Sequence, residues 1–252
     1  MAGPHRVFDA HLHIIDPRFP LQENNGYLPP PFTVEDYRGR VAHLGVAGGA
    51  VVSGSFQGFD QSYLRAALAA LGPTYVGVTQ ISYDTADDDI RRLDESGVRA
   101  VRFNVRRGGS AGLSDLDRLA RRVHEVAGWH AELYIDSREL PELYPTLSKL
   151  PAVCIDHLGL SAEGFPQLLR LVESGATVKA SGFGRVDLDP VEAMRRILDV
   201  NRRALVFGTD LPSTRAPRPF RDEDITAMAG FLDTAERDDV LWNNAAALYR
   251  LG

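Results

Sequence analysis

The fold of this chain is decided by the stretch Val7-Phe8-Asp9-Ala10-His11-Leu12-His13-Ile14. Its apolar residues predict a short buried strand. Side chains alternate between the two faces of a strand, so His11 and His13 point the same way. In a barrel of parallel strands that shared direction is the interior, and polar residues that end a strand lie at the barrel's open end. Taken alone, a His-x-His pair is equally compatible with two hydrogen-bonded structural histidines.

Predicted strands and helices alternate along the rest of the chain. Thr33 is predicted to cap a first helix that runs to about residue 44. Further strands are predicted over residues 48–53, 75–81, 99–105, 130–135, 152–156, 177–180 and 204–207, each followed by an amphipathic helix. The helix after the last strand is predicted over residues 222–236. A final helix over residues 240–249 is expected to pack on the outside of the barrel.

Eight such units in 252 residues predict an α/β fold, a closed (β/α)8 TIM barrel made of one domain that spans residues 1–252. An open, doubly wound sheet is the alternative. Residues 15–32 contain five prolines together with Asn24-Asn25-Gly26, which disfavour helix and strand. They predict a Pro-rich loop over the active site.

Composition excludes several classes of protein. The formal net charge of −6 argues against a nucleic-acid or membrane-surface partner. The only cysteine is Cys154, so no internal disulfide is possible, and residues 1–5 lack the apolar core of a secretory signal. No Gly-x-Gly-x-x-Gly sequence opens a helix after a strand, so we expect no dinucleotide cofactor. These observations predict a cytoplasmic protein with a small-molecule substrate; they leave its oligomeric state open.

Polar side chains recur at the predicted carboxyl ends of the strands, where the active site of such a barrel lies. Besides the two histidines they are Ser53, Ser55, Arg102, Arg106, Arg107, Tyr134, His157, Arg185 and Asp210. Carboxylates and imidazoles can act as general bases, and imidazoles and guanidinium groups can donate hydrogen bonds to developing negative charge. Because the arginine fork suits a carboxylate, several arginines predict an anionic substrate, although each could instead pair with an acidic residue of a neighbouring loop. Arg215 and Arg218 are predicted to be solvated, with a carboxylate contact as the alternative.

Four segments occur in the order found in the amidohydrolase superfamily, which the chain therefore resembles. They are Phe8-Asp9-Ala10-His11-Leu12-His13, Arg99-Ala100-Val101-Arg102-Phe103-Asn104, Ile155-Asp156-His157-Leu158-Gly159 and Gly208-Thr209-Asp210. Within the superfamily the chain is similar to the 2-pyrone-4,6-dicarboxylate lactonases and related sugar lactonases. The resemblance implies a (β/α)8 hydrolase that opens a small anionic lactone.

Residue by residue, the resemblance implies that Asp210 takes the proton of the attacking water. It implies that the carbonyl is polarised by His11, His13 and His157. The implied substrate-binding residues are Arg102, Arg106, Tyr134, Arg185 and Ser55. Arg107 competes with Arg106 for its position, and Ser53 competes with Ser55.

Many amidohydrolases bind zinc, and the ligands here would be His11, His13, His157 and Asp210. A binuclear site also needs a bridging lysine or glutamate on strand four, where Arg102 and Asn104 stand instead. Tyr134 stands where a strand-five histidine would lie, and His130 is expected to face away. A cationic Arg102 also disfavours a dication. We therefore expect no cofactor, with Zn²⁺ as the alternative.

Three other functions are compatible with the same residues. A zinc-dependent decarboxylase or hydrolase of the superfamily would require metal. A sugar-lactone hydrolase would prefer neutral lactones. A non-catalytic barrel that binds small molecules would hydrolyse neither.

Overall fold

The computed structural model describes residues 6–251. Residues 1–5, and with them the prediction about the N-terminal segment, lie outside the described range, as does residue 252. Eight strands form one sheet in chain order, and each pairs in parallel with the next. They are β1 (Val7–Leu12), β2 (Val46–Val52), β3 (Tyr75–Thr79), β4 (Val98–Phe103), β5 (His130–Leu133), β6 (Val153–Ile155), β7 (Thr177–Ala180) and β8 (Leu205–Phe207).

A parallel bridge between Leu12 and Leu211 joins β1 to the segment after β8. The sheet therefore closes on itself, which confirms the (β/α)8 barrel and excludes the open, doubly wound sheet. Within residues 6–251, none of the helices has the length and apolar character needed to cross a bilayer.

Helices surround the barrel in the predicted places. They are α1 (Val34–Val41), α2 (Ser62–Leu71), α3 (Asp87–Glu95), α4 (Leu116–Ala127), α5 (Leu140–Leu147), α6 (Phe165–Glu173), α7 (Pro190–Val200), α8 (Asp222–Phe231), α9 (Thr234–Asp238) and α10 (Asn244–Leu248). Thr33 caps α1 as predicted, because its hydroxyl accepts from the backbone N–H of Asp36 at 3.3 Å. The single helix predicted over residues 222–236 is wrong.

That segment divides because Asp233 starts a new helix. Its carboxylate accepts from the N–H of Glu236 at 2.7 Å, and the Glu236 carboxylate accepts from the N–H of Asp233 at 3.0 Å. This reciprocal capping box satisfies two N–H groups at the start of α9, and Leu232 becomes extended.

The C-terminal segment closes the amino-terminal end of the barrel. Tyr249 is completely buried, stacks on Phe8 with ring centroids 5.4 Å apart, and donates its hydroxyl hydrogen to Glu132 of β5 at 2.6 Å. The expectation that this segment packs only on the outside is therefore wrong. An aromatic ring carrying a hydroxyl can fill apolar space and also satisfy a buried carboxylate.

Asp9 joins the first strand to the turn after the last one. Its two carboxylate oxygens accept from the N–H and hydroxyl of Thr209, each at 2.7 Å, and from the hydroxyl of Tyr37 on α1 at 3.0 Å. The Asp9 carboxylate bonds outside the barrel, whereas the ring of His11 reaches the interior. A register shift between Asp9 and Leu12 lets the two side chains face different ways. Burial raises the pKa of Asp9 from 3.8 to about 6, although the Thr209 hydrogen bonds oppose the shift.

Asp9→Asn is expected to change how stability depends on pH. Because its pKa is raised by folding, Asp9 contributes stability that is fully present below about pH 4 and lost as the pH rises through about 6. The asparagine variant lacks this dependence. Its unfolding free energy relative to that of the wild type should therefore increase as the pH rises from about 4 to about 6. Urea denaturation at successive pH values measures the difference; parallel pH curves would contradict the assignment.

Candidate active site

Three imidazoles surround one carboxylate oxygen at the carboxyl end of the barrel. The Nε2 atoms of His11, His13 and His157 lie 3.9, 3.9 and 3.8 Å from Oδ1 of Asp210. All four residues are buried, and neither Oδ1 of Asp210 nor Nε2 of His11 has a hydrogen-bond partner among the described residues. Buried polar atoms are normally satisfied, so this arrangement points to a ligand or a reacting group between them.

The backbone at two of these residues is in the left-handed region. His157 has φ +52° and Asp210 has φ +62°, conformations that cost a non-glycine residue about 1–3 kcal/mol. Gly208 allows the turn after β8 to approach β1, because a Cβ at this position would lie 2.8 Å from Cβ of His11. Strain and close packing together hold Asp210 against the histidines.

Most of the predicted residues line one cavity above this cluster, which is partly open to solvent. The predicted residues in its wall are His13, Ser55, Arg102, Tyr134, His157, Arg185 and Asp210. His11 lies deeper, where its ring contacts those of His13 and His157. Ser53 is engaged elsewhere, because its hydroxyl bonds to Tyr63 at 2.7 Å and its carbonyl accepts from Arg102 at 2.6 Å.

The preference for Arg106 over Arg107 is reversed by their positions. The Arg106 side chain is 46% exposed and lies 3.8 Å from Asp136, outside the cavity. Arg107 lines the cavity instead. The sequence could not separate them, because both follow β4 in an irregular turn where strand alternation no longer sets direction.

Two of the predicted substrate-binding arginines are already paired. Nε of Arg185 donates to Oδ2 of Asp210 at 2.7 Å, and Arg102 donates to Oδ2 of Asp156 at 2.9 Å. Pairing with acidic residues, the alternative role for these arginines, is therefore realised in both. Burial would lower the pKa of Arg185, but Asp210 raises it, so the guanidinium stays charged. Arg102 still has a buried Nε without a partner among residues 6–251.

Two arginines in the cavity wall have no carboxylate partner. Within the described residues, neither Arg107 nor Arg215 forms an ion pair. Arg215 lies over the ring of Tyr27 at 4.3 Å and donates to Asn24, and the Asn24 side chain donates to the carbonyl of Arg107 at 3.1 Å. Burial and the nearby Arg107 charge lower the pKa of Arg215.

The prediction that Arg215 is simply solvated is therefore wrong, whereas Arg218 pairs with Asp224 at 2.8 Å, away from the cavity. Tyr27 and Asn24 belong to the Pro-rich segment of residues 15–32, and Tyr27 lines the cavity. Sequence reasoning missed both residues individually. Tyr27 follows Asn25-Gly26, two residues with positive φ in a tight turn, and that turn is the only signal that could have placed it.

A buried ionic network lies below the histidines, and sequence reasoning also missed it. Nζ of Lys179 on β7 lies 2.5 Å from Oε2 of Glu132 and 3.6 Å from Oδ1 of Asp156. Burial alone would raise the pKa of Glu132, but Lys179 and His130 lower it to about 2. Burial would lower the pKa of Lys179, yet the Glu132 and Asp156 carboxylates raise it. Both groups therefore stay charged.

His130 belongs to this network, contrary to the expectation that it faces away. Its Nε2 bonds to Oε1 of Glu132 at 2.9 Å, because residues 130 and 132 share the inward face of β5. Glu132 and Lys179 are charged residues within the apolar segments His130–Leu133 and Thr177–Ala180. They were the sequence signal that could have revealed the buried network.

The hydrogen bonds of the histidines distinguish their roles. Nδ1 of His13 lies 2.7 Å from the carbonyl oxygen of Val52, and a carbonyl only accepts, so Nδ1 carries the proton. Burial lowers the pKa of His11, His13 and His157, so all three are neutral. Neutral His13 therefore has a bare Nε2, which accepts a hydrogen bond. This argues against the expectation that His13 donates to a carbonyl.

This barrel, with its histidines and its aspartate after β8, is of the amidohydrolase type. The family of that description matches residues 8–251, and the chain belongs to it.

Two relatives of this chain have names that describe hydrolases, one of a pyrone and one of a lactone. One is the 2-pyrone-4,6-dicarboxylate hydrolase of Comamonas testosteroni, which is 27% identical over 277 aligned residues that cover 98% of this chain and 90% of the relative. The other is the 4-sulfomuconolactone hydrolase of Rhizobium radiobacter, 28% identical over 276 aligned residues with 98% and 91% covered. A crystal structure from Agrobacterium tumefaciens shares the fold, with a TM-score of 0.85, 24% identity and coverage of 100% and 98%.

Proposed function

We propose that this protein hydrolyses a small anionic lactone. The observation that carries the proposal is the buried Oδ1 of Asp210, without a partner among the described residues and surrounded by the three imidazole Nε2 atoms. Both named relatives act on compounds of this class, according to their names.

In the proposed reaction, water attacks the lactone carbonyl from between Asp210 and His13. Their acceptor atoms, Oδ1 and Nε2, lie 3.9 Å apart and can each take one hydrogen bond from the same water. Asp210 takes the proton as the new C–O bond forms. The bond from the carbonyl carbon to the ring oxygen then breaks, and Asp210 returns the proton to that oxygen. The product has a hydroxyl group, or its keto form, at the former ring oxygen and a new carboxylic acid group, which loses its proton to solvent at neutral pH.

The oxyanion that forms during this attack needs donors. The proposed donors are Nε2 of His11, which lies 3.9 Å from Oδ1 of Asp210, and Arg185, which is held at the same carboxylate by its 2.7 Å bond to Oδ2. Donors fixed before the reaction stabilise charge that develops only in the transition state.

The substrate is proposed to carry an anionic group that binds at Arg107 and Arg215. Two like charges held close together destabilise the free protein, and a bound anion would offset that cost. A neutral sugar lactone would leave both guanidinium groups uncompensated. The unpaired arginines therefore favour a carboxylated lactone.

We propose that the reaction needs no metal ion. His11, His157 and Asp210 offer ligand atoms within 4.8 Å of one another, and such atoms suit zinc in kind. However, Arg185 already bonds to Asp210, and Lys179 lies 3.4 Å from Nδ1 of His11. Cations in contact with the ligands would repel a dication, so these surroundings do not fit zinc.

Asp210→Asn is expected to lower kcat/KM for a pyrone dicarboxylate by about 10³-fold, because the amide cannot take the proton from water. Unchanged circular dichroism and Tm would show that the fold is intact. The matched control is Asp117→Asn, which changes an exposed carboxylate on α4. Activity close to that of the wild type in the Asp210 variant would refute the mechanism.

Arg215→Gln and Arg107→Gln should each raise KM for a dicarboxylated pyrone by about tenfold, the loss of one charged hydrogen bond. For a monocarboxylated pyrone, KM should rise much less in one of the two variants than it does for the dicarboxylated pyrone. Arg218→Gln serves as the control, because Arg218 pairs with Asp224 outside the cavity. The substrate proposal fails if all three variants behave alike.

Activity on a panel of carboxylated and neutral lactones should be insensitive to chelator. Dialysis against a strong chelator, followed by assay with and without added Zn²⁺, tests this directly. Metal-free protein that regains activity only with Zn²⁺ would favour the zinc-dependent alternative.

A further inference from the structure

We propose that Lys179 is a positioning residue that donates to Nδ1 of His11 and so holds neutral His11 with its proton on Nε2. Lys179 is completely buried inside the barrel, directly below the site. Its Nζ lies 3.4 Å from Nδ1 of His11, within hydrogen-bond geometry. An ammonium group has three donors and no acceptor, so Nδ1 must accept in this bond. The one proton of the neutral ring is then on Nε2.

Asp156 is the competing partner of Nδ1. Its Oδ1 lies 3.3 Å from Nδ1 and opposes the lowering of the His11 pKa by burial, but no N–H or O–H group of residues 6–251 points at that oxygen with hydrogen-bond geometry. The direction from the ring therefore does not suit an Nδ1–H donor. The other oxygen of Asp156 accepts from Arg102, which fixes the carboxylate in this orientation.

Lys179 is held in place from below. Lys179 donates to Oε2 of Glu132 at 2.5 Å. The other oxygen, Oε1, accepts from the Tyr249 hydroxyl at 2.6 Å and from Nε2 of His130 at 2.9 Å. The two carboxylates and the two cations of the network, Lys179 and Arg102, balance in charge. A fully bonded Glu132 leaves the ammonium little freedom to turn away from His11.

The consequence is that His11 in β1 and His13, directly after the strand, carry their protons on opposite nitrogens. His13 presents a bare Nε2 because Nδ1 donates to Val52, whereas His11 presents Nε2–H. Given the proposed function, His13 accepts from the water and His11 donates to the carbonyl oxygen. An Nε2–H group also has no lone pair for a metal ion.

The direct test is nitrogen-15 NMR of the wild-type protein labelled at histidine, at neutral pH. Chemical shifts and two-bond couplings to ring protons tell protonated from bare ring nitrogens, and the His11→Asn variant assigns the His11 signals. The expected result is a bare Nδ1 and a protonated Nε2 for His11, with the opposite pattern for His13. Protonation of His11 on Nδ1, or on both nitrogens, overturns the proposal.

A pair of variants tests whether Lys179 is the cause. In Glu132→Gln the amide oxygen can still accept from Lys179, and Asp156 still pairs with it, so the lysine stays in place and His11 should keep its proton on Nε2. Glu132→Gln combined with Lys179→Met removes one negative and one positive charge, so the net charge of the network is unchanged. Without the ammonium, the partner left for Nδ1 of His11 is the Asp156 carboxylate, which can only accept. The proton of His11 should therefore move to Nδ1. An unchanged His11 pattern in the double variant contradicts the role of Lys179. The wild-type measurement decides the proton position even if the double variant does not fold.

Kinetics separate this proposal from the proposed function on which its catalytic part rests. Relative to Glu132→Gln, the double variant should lose kcat by about 10²-fold, as for one oxyanion donor, while KM changes by less than about threefold. If the wild type opens no lactone but His11 is protonated on Nε2, the function fails and the positioning role stands. If lactones are opened and His11 is protonated on Nδ1, the proposed function stands and the positioning role of Lys179 fails.

Discussion

The ion pair between Lys179 and Glu132, sealed inside the barrel, is the interaction on which the site depends. Charges this deeply buried are costly unless each is paired and hydrogen-bonded, and removing one partner of such a pair typically costs several kcal/mol. Here Glu132 has three donors, and Asp156 connects Lys179 to Arg102. The network reaches from Tyr249, near the end of the chain, to the ring of His11, so the last residues of the fold help to orient the first strand.

Above this network, hydrogen bonding assigns different chemistry to similar residues. His11 lies in β1 and His13 directly follows its end, yet one faces an ammonium group and the other a backbone carbonyl. A site with a base, a second acceptor and fixed donors can activate water and stabilise an oxyanion without moving its parts. The left-handed backbone at His157 and Asp210 belongs to the same arrangement, because it directs both side chains toward the centre.

The electrostatics of the cavity differ from those of the whole molecule. The chain carries a net charge of −6, but Arg107 and Arg215 stand at the cavity without carboxylate partners in the described residues. Local positive charge on an acidic protein attracts small anions. The Pro-rich segment contributes through Tyr27 and Asn24, which stack on and bond to Arg215 and so connect the loops after β1 and β8.

The sequence by itself determined the barrel, the order of its strands and the identity of most polar residues at their carboxyl ends. It could do so because alternation of apolar strands and amphipathic helices is a local property, and because strand ends converge in any closed parallel barrel. It misjudged Arg106, Arg215, His130 and the segment around Tyr249, all of which depend on turns or on contacts between distant parts of the chain. Only the tertiary structure decided which ring nitrogen of His11 and of His13 is free and which arginines are neutralised. Those properties depend on partners such as Val52, Lys179 and Asp156, which no local pattern brings together.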